Sequence, residues 1–206
     1  MTISLTTFQN TATDITYVID VLDYLFSRST ITSASSNSAT LEGVYAGENI
    51  FASVSGFAMS GQQFNGQFSL TSGVMQNIIV SVNGQNLFEI DTSIDIGSLA
   101  QIVSDDNSGR NIRAIEDFLQ GQQWNIQLGN GSDLALDGEV VGFDNVRYNL
   151  QGNDIINTGS GNDNFFSGDG NDVFFAGLGS DTFNGGNGMD TVLFSGSSSN
   201  YTLSGS

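Results

Sequence analysis

Apolar residues near the start of the chain recur at helical spacing. Over residues 14–27 they fall on one face of a helix, at Ile15, Val18, Ile19, Leu22, Leu25 and Phe26. Thr13 or Asp14, just before this run, can cap its first turn. The opposite face carries acidic side chains, which an anionic membrane surface repels. The pattern therefore predicts an amphipathic helix over 14–27 that packs against a protein core.

Beyond this helix the pattern changes to short apolar runs separated by polar residues and glycine. Residues 27–40 are rich in serine and threonine and predict a loop. Residues 39–96 predict short strands broken by glycine, including a hairpin over 78–90 that turns at Asn83-Gly84. The remaining segments predict helices over 97–103 and 111–120, and strands near 124–128, 134–136 and 139–148.

From residue 149 the chain repeats itself every nine residues, in units 149–157, 158–166, 167–175, 176–184 and 185–193. The sixth place is always aspartate: Asp154, Asp163, Asp172, Asp181 and Asp190. The fourth place is always glycine: Gly152, Gly161, Gly170, Gly179 and Gly188. The second place is Leu150 in the first unit and glycine in the others: Gly159, Gly168, Gly177 and Gly186. The eighth place is always large and apolar: Ile156, Phe165, Phe174, Phe183 and Val192.

Each constrained place has a physical reason. Glycine allows the backbone to turn through positive φ and leaves carbonyl oxygens free to point at an ion. Aspartate supplies the hard oxygen ligands that calcium prefers, and two facing turns can together provide six to eight of them. The last three residues of each unit fit a short strand whose middle, apolar residue points inward. Because a single unit cannot bury that residue, the units must stack.

This pattern resembles the G-G-x-G-x-D-x-U-x nonapeptide of the repeats-in-toxin (RTX) family, although only Gly185-Gly186 provides the full double glycine. The resemblance implies a parallel β-roll in which two nonapeptides form one coil and calcium lies between the turns of repeats n and n+2. Asp154, Asp172 and Asp190 would then lie along one edge, and Asp163 and Asp181 along the other. Three ions follow, between the pairs 154/172, 172/190 and 163/181. The second-place and fourth-place glycines complete the expected metal site.

The fold class expected is therefore mainly β, in two domains. Residues 1–148 would form a glycine-rich β-domain with two or three short helices, and residues 149–206 the calcium-binding roll with a closing segment. The resemblance also implies export by a type I secretion apparatus and an extracellular or cell-surface location. The first residues lack a basic region followed by an apolar one, so we expect export without a cleaved Sec-type signal.

Composition narrows the classes of partner. The formal net charge is −18, from 22 acidic residues against four arginines. This charge excludes a nucleic-acid partner, and the absence of a long apolar run excludes a membrane-spanning helix. The chain has neither histidine nor cysteine, which excludes thiolate metal sites and histidine-based nucleophile systems. Its 38% hydrophobic residues favour a packed core.

Two further patterns leave alternatives open. LGNGSDLAL (128–136) fits the repeat with Asp133 at the sixth place, but it lies out of register with the later units. A turn is its first interpretation and an additional calcium site the second. Places seven and nine of the odd-numbered units are mostly apolar: Ile155, Asn157, Val173, Phe175, Thr191 and Leu193. We therefore expect this outer face to be covered, by the N-terminal domain (helix 14–27 being one candidate) or by a second copy of the chain.

Three function classes agree with these patterns: a calcium-dependent structural or adhesion module, an enzyme active in residues 1–148, and a binder of surface glycans. No residue is assigned a catalytic role. The carboxylate pairs Glu89/Asp91, Asp105/Asp106 and Glu116/Asp117 resemble glycosidase pairs in composition, but solvated surface acids explain them better. Trp124 and Tyr148 can stack on a sugar, although core packing is the favoured interpretation for both.

Overall fold

The computed structural model describes residues 1–8, 13–64, 67–110, 113–135, 140–141, 146–147, 150–195, 197 and 201–202. The fold is mainly β with three helices in these residues, and its C-terminal strands are parallel, as the sequence predicts. The elements in chain order are β1 Thr2–Thr7, α1 Ile15–Arg28, β2 Thr30–Ala34, β3 Ser38–Tyr45, β4 Glu48–Phe64, β5 Gln67–Val82, β6 Gln85–Asp95, α2 Ile96–Asn107, α3 Ala114–Gln120, β7 Gln123–Gln127, β8 Leu134–Ala135, β9 Val140–Val141, β10 Val146–Arg147, β11 Ile155–Asn157, β12 Asn164–Phe166, β13 Val173–Ala176, β14 Thr182–Asn184 and β15 Thr191–Phe194.

One ten-stranded sheet runs through both halves of the chain, in the order β15-β13-β11-β7-β1-β6-β5-β2-β3-β4. Strands β1, β7, β11, β13 and β15 are parallel to their neighbours in this series, whereas β1 and β6 pair antiparallel. A second, three-stranded sheet, β14-β12-β8, is also parallel. The predicted boundary at residue 148 is therefore a change of sequence pattern within a continuous sheet.

The predicted amphipathic helix is confirmed as α1. Asp14 caps it, because its carboxylate accepts a hydrogen bond from the Thr16 backbone N–H at 2.9 Å. The predicted apolar face is buried, apart from Phe26 at its margin, which is half-buried against the core. Helices α2 and α3 and strand β7 also match the predictions, within the described residues. None of the described helices is long and apolar enough to cross a membrane.

The loop predicted over residues 27–40 is wrong. Strand β2 lies within it, and β3 begins at Ser38. The pairing of Ile31 with Leu41 and of Ala34 with Ala39 shows how the two strands form an antiparallel hairpin. Serine and threonine are tolerated here because most of these side chains are exposed, so the strand needs few apolar residues.

The short strands predicted over residues 39–96 are longer than expected. β4 spans 17 residues and β5 spans 16. Glycines lie inside them rather than ending them: the pairing of β4 with β5 shifts register at Gly56, as expected where a β-bulge absorbs an interior glycine. The hairpin at Asn83-Gly84 is confirmed, with positive φ at both residues (49° and 82°), as its turn type requires.

Candidate metal centre

The nonapeptide units form a two-sided roll. Residues 18 apart lie side by side: Ile156 pairs with Phe174 and Phe174 with Val192 in the large sheet, and Phe165 pairs with Phe183 in the small one. These eighth-place side chains point between the two sheets, where Ile156, Phe165 and Phe174 are buried. The Phe174 and Phe183 rings are 4.7 Å apart, so the interior is a stack of apolar side chains contributed by every unit.

The glycines lie where neighbouring turns approach closely. Seven of the predicted glycines have positive φ, at Gly159, Gly161, Gly168, Gly170, Gly179, Gly186 and Gly188. Gly170 illustrates the second constraint, because a Cβ there would overlap the carbonyl oxygen of Gly152 in the turn below. Gly177 does not have positive φ, but a Cβ would overlap the carbonyl oxygen of Gly159. Close stacking of neighbouring turns therefore explains why glycine is required at a position, such as Gly177, where φ is not positive.

The sixth-place aspartates form a regular series of contacts that we call the aspartate ladder: Asp154, Asp172 and Asp190 on one edge, and Asp163 and Asp181 on the other. In each contact, the Oδ1 atom of an aspartate accepts a hydrogen bond from the backbone N–H of the aspartate 18 residues earlier. The N···O distances are 2.8 Å for Asp154 to Asp172, 3.0 Å for Asp172 to Asp190 and 3.1 Å for Asp163 to Asp181. The neighbours on each edge are those that the sequence predicted.

In Asp154 and Asp163, the first aspartate on each edge, the second carboxylate oxygen (Oδ2) lacks, within the described part of the chain, the hydrogen bond that the first (Oδ1) accepts. The Oδ2 atoms of Asp154 and Asp163 are buried and have no hydrogen-bond partner in the described residues. Burial, and after it the charge of Asp172, raises the pKa of Asp154 to about 7. Burial also raises the pKa of Asp172 and that of Asp181. Buried carboxylate oxygens without a donor are costly unless a cation is present, and a calcium ion fits them by charge and by ligand type.

Among the described residues, no three acidic side chains are placed close enough together to hold one metal ion by themselves. This agrees with a site in which facing turns provide a few carboxylates and the backbone provides the other oxygens. In that arrangement Asp154 and Asp163 would hold an ion through their unpartnered Oδ2 atoms. The Oδ2 atom of Asp172 also accepts a hydrogen bond from the Ser167 hydroxyl, so it would share this oxygen between the hydroxyl and an ion. The carbonyls of the stacked glycine turns would contribute neutral oxygens.

The fifth place contributes a second ladder that the sequence analysis missed. The Asn153 side-chain oxygen accepts a hydrogen bond from the Asn171 N–H at 2.8 Å, and that of Asn171 accepts one from the Met189 N–H at 2.7 Å. On the other edge Asn162 accepts from the Ser180 N–H at 2.9 Å. Asparagine at this place in the first three units was the available signal. These side chains position adjacent turns, because they satisfy backbone donors that the coil leaves free.

The roll begins earlier than the repeats. β11 pairs in parallel with β7 and β12 with β8, so residues 123–135 take the place of a coil below the first unit. Trp124 occupies the position of the sixth place on one edge, and its backbone N–H donates a hydrogen bond to Asp154 Oδ1 at 2.7 Å. Its ring is fully buried, and its Nε1 donates to the Leu119 carbonyl at 2.9 Å. Trp124 is thus a core residue, as expected, whereas Tyr148 lies outside the described residues.

The outer face formed by the odd-numbered units is not covered by the predicted helix. Ile155, Phe175 and Leu193 are 38%, 41% and 43% exposed, and Val173 is half-buried. Helix α1 packs instead against β3, α2, α3, β8 and β9, on the far side of the coil that precedes the repeats. Of the candidates for covering this face, α1 is therefore excluded, and a second copy of the chain stays a prediction. The helix has its own partner surface because its apolar side chains complete the core of the N-terminal half.

The carboxylate pairs outside the roll have local explanations. The Asn77 amide donates to both Glu89, at 2.6 Å, and Asp91, at 2.8 Å. Asp105 forms an ion pair with Arg110, and Asp117 one with Arg113. A cavity of about 360 Å³ between α1, α2 and the sheet has mainly apolar walls and no acidic residue in its lining. Glu89, Asp91, Asp105 and Asp117 therefore have local partners, and the residues that line this cavity include no carboxylate pair of the kind that glycosidase chemistry requires.

Stacked glycine turns, an aspartate ladder and an apolar interior define a calcium-binding parallel β-roll. The family model described as the RTX calcium-binding nonapeptide repeat matches in four copies, over residues 148–183 and 158–192. The chain therefore carries RTX repeats, which are calcium-binding repeats. No curated protein and no solved structure matches the chain.

Proposed function

We propose that this protein is a secreted structural or adhesion module whose roll becomes ordered when it binds calcium outside the cell. The observation that carries the proposal is the aspartate ladder, with its buried and unpaired Oδ2 atoms at Asp154 and Asp163. Three ions would lie between the pairs 154/172, 172/190 and 163/181, with the glycine turns of each pair supplying carbonyl oxygens. Calcium supplies the positive charge that allows these carboxylates to be both ionised and buried.

Calcium is well suited to control the order of this roll. Without it, the stacked carboxylates repel one another and a net charge of −18 opposes compaction. The glycine turns also lose much conformational entropy on folding. With calcium, metal binding and folding become one equilibrium, so the chain is extended where calcium is scarce and rigid where it is abundant. This behaviour suits export by a type I apparatus, which the RTX repeats support.

A calcium titration of the full chain, followed by circular dichroism, tests this proposal. Extracellular calcium modules bind with a Kd of roughly 10⁻⁴–10⁻³ M, so the β-sheet signal should rise cooperatively in this range. Magnesium at the same concentration is the matched control, because its smaller, octahedral shell fits flexible carbonyl turns poorly. A signal that is complete in chelator and unchanged by calcium would contradict the proposal.

The adhesion role has its own test, since it concerns the partner rather than the metal. A glycan array and a panel of surface proteins, probed with the full chain in calcium and in chelator, should show binding that chelator abolishes. Binding to a glycan that persists in chelator would place recognition outside the roll. Conversion of the glycan would instead favour an enzyme.

A further inference from the structure

The coil that precedes the repeats has a turn of the same form as the calcium turns. Residues 128–133 lead into β8, which pairs in parallel with β12 so that Leu134 faces Asn164. The Asn164 N–H donates to the Asp133 carbonyl at 2.9 Å, just as the Thr182 N–H donates to the Asp163 carbonyl at 2.7 Å. Asp133 thus occupies the sixth place of a coil, on the edge that contains Asp163 and Asp181.

The glycines of this turn stack as the repeat glycines do. A Cβ at Gly159 would overlap the carbonyl oxygen of Gly129, and one at Gly161 would overlap that of Gly131. In the next coil, Gly177 and Gly179 approach Gly159 and Gly161 in the same manner. The backbones of the turns 128–133 and 158–163 are therefore stacked as closely as those of neighbouring repeat turns.

The two carboxylates of this pair are buried and incompletely satisfied. Asp133 is 1% exposed and Asp163 is 2% exposed. Asp163 Oδ1 accepts from the Asp133 N–H at 2.9 Å, and Asp133 Oδ1 accepts from the Thr13 N–H at 2.7 Å. The Oδ2 atoms of both residues are buried and without a hydrogen-bond partner in the described residues. Two such oxygens beside stacked glycine carbonyls are a donor set for a hard cation.

We propose that the turns 128–133 and 158–163 hold an additional calcium ion, with Asp133 and Asp163 as its carboxylate ligands. The proposal rests on the proposed function, because it takes the repeat turns as calcium sites. It extends that function to a segment outside the residues that the family model matches. Asp163 would then serve two ions, since it lies between Asp133 on one side and Asp181 on the other.

This ion would connect the roll to the N-terminal half of the molecule. The Leu134 N–H donates to the Thr13 carbonyl at 2.8 Å, and Asp14 forms a bridge with Leu134. Asp14 also caps α1. The backbone of Thr13 and Asp14 therefore continues the small sheet beyond Leu134, directly before the helix begins. Calcium bound at Asp133 would fix the start of α1 as well as the first coil of the roll.

The sequence pattern left a calcium site at Asp133 only as a second interpretation, because the segment is out of register with the repeats. Asp133 and Asp163 are 30 residues apart, whereas Asp163 and Asp181 are 18 apart. The difference is a 12-residue insertion (30 − 18) between β8 and the first unit, which breaks the sequence register but leaves the spatial register of the coils intact.

Anomalous diffraction from crystals of the full chain grown in calcium gives the direct test. Peaks are expected at the repeat pairs and between Asp133 and Asp163. Peaks at the repeat pairs alone would overturn this inference but leave the proposed function standing. Density for the ordered turns with no anomalous peak at any of them would reject both.

Native mass spectrometry of variants gives an independent count of bound calcium. Asp133→Asn keeps the side-chain volume and should lose one ion relative to the wild-type chain. Asp117→Asn is the matched control, because it makes the same change at an exposed, ion-paired carboxylate and should lose none. An unchanged count in folded Asp133→Asn would contradict the inference. If that variant does not fold, the anomalous map of the wild-type chain decides.

Discussion

The two ends of the roll differ in how much protein surrounds them. At the inner end, next to β7 and β8, Asp154, Asp163 and Ile156 are almost completely buried. At the outer end Asp190 is exposed, and the eighth-place Val192 is 38% exposed. Both ends follow the same nine-residue pattern, so the difference comes from neighbours. The inner coils continue the sheet that contains β1 and β7, whereas β15 of the last coil is the edge strand of that sheet among the described residues. Packing should therefore stabilise the inner end more than the outer end, so the outer coil has less packing to hold it in order when calcium is removed.

Truncation of an interior side chain should have the largest effect on stability. Phe174→Ala removes a buried ring that contacts both Phe165 and Phe183, and it should cost about 3–5 kcal/mol. Val192→Ala at the outer end should cost much less, because this side chain is partly exposed. Urea unfolding of both variants in saturating calcium measures the difference. Equal losses would mean that the outer coil is as well packed as the inner one.

Close stacking of the glycine turns predicts the next largest effect. Gly109→Ala places a side chain at positive φ in open space, and should cost about 1–2 kcal/mol of backbone strain. Gly170→Ala places a side chain at a φ of 142° and adds an overlap with the carbonyl oxygen of Gly152, so it should be more destabilising. The urea midpoints of the two variants compare them directly. If Gly109→Ala proves as harmful as Gly170→Ala, φ alone explains the repeat glycines.

The aspartates should differ in their effect on calcium affinity. Asp172 lies between Asp154 and Asp190, so Asp172→Asn removes charge from two of the proposed sites. Asp190→Asn affects one, at the end of the stack, where loss of order need not spread. We expect the calcium midpoint to rise several-fold more for Asp172→Asn in a titration monitored by circular dichroism. Identical midpoints would show that the ions are not shared between neighbouring turns.

The calcium midpoint of a variant at Asp163 extends the comparison between Asp172→Asn and Asp190→Asn to the other edge of the roll. It has Asp133 on one side and Asp181 on the other, so Asp163→Asn should resemble Asp172→Asn if the additional site exists. Without that site it should resemble Asp190→Asn instead. The same titration distinguishes the two outcomes, and Asp117→Asn again controls for loss of one surface charge.

The sequence predicted the roll well because each of its constraints recurs every nine residues. Inward-pointing residues and glycine turns follow from one repeating unit, and the pairing of aspartates 18 residues apart follows from the resemblance to the RTX repeats. The N-terminal half contains no repeat, so its elements had to be inferred from local patterns. Helix α1 has a clear apolar face and was predicted correctly, but β2 is an exposed strand of serine and threonine that looked like a loop. The place of Asp133 depends on a coil interrupted by an insertion, which only the spatial pairing of β8 with β12 makes visible.

Hydrogen exchange of the full chain, with chelator and then with millimolar calcium, tests the central claim most directly. We expect amides of residues 150–194 to exchange rapidly in chelator and to become protected in calcium, with the largest change in protection toward Asp190. The antiparallel strands β3–β6 should be protected in both conditions, because no ladder aspartate lies in them. Full protection of residues 150–194 in chelator would contradict the claim that calcium orders the roll.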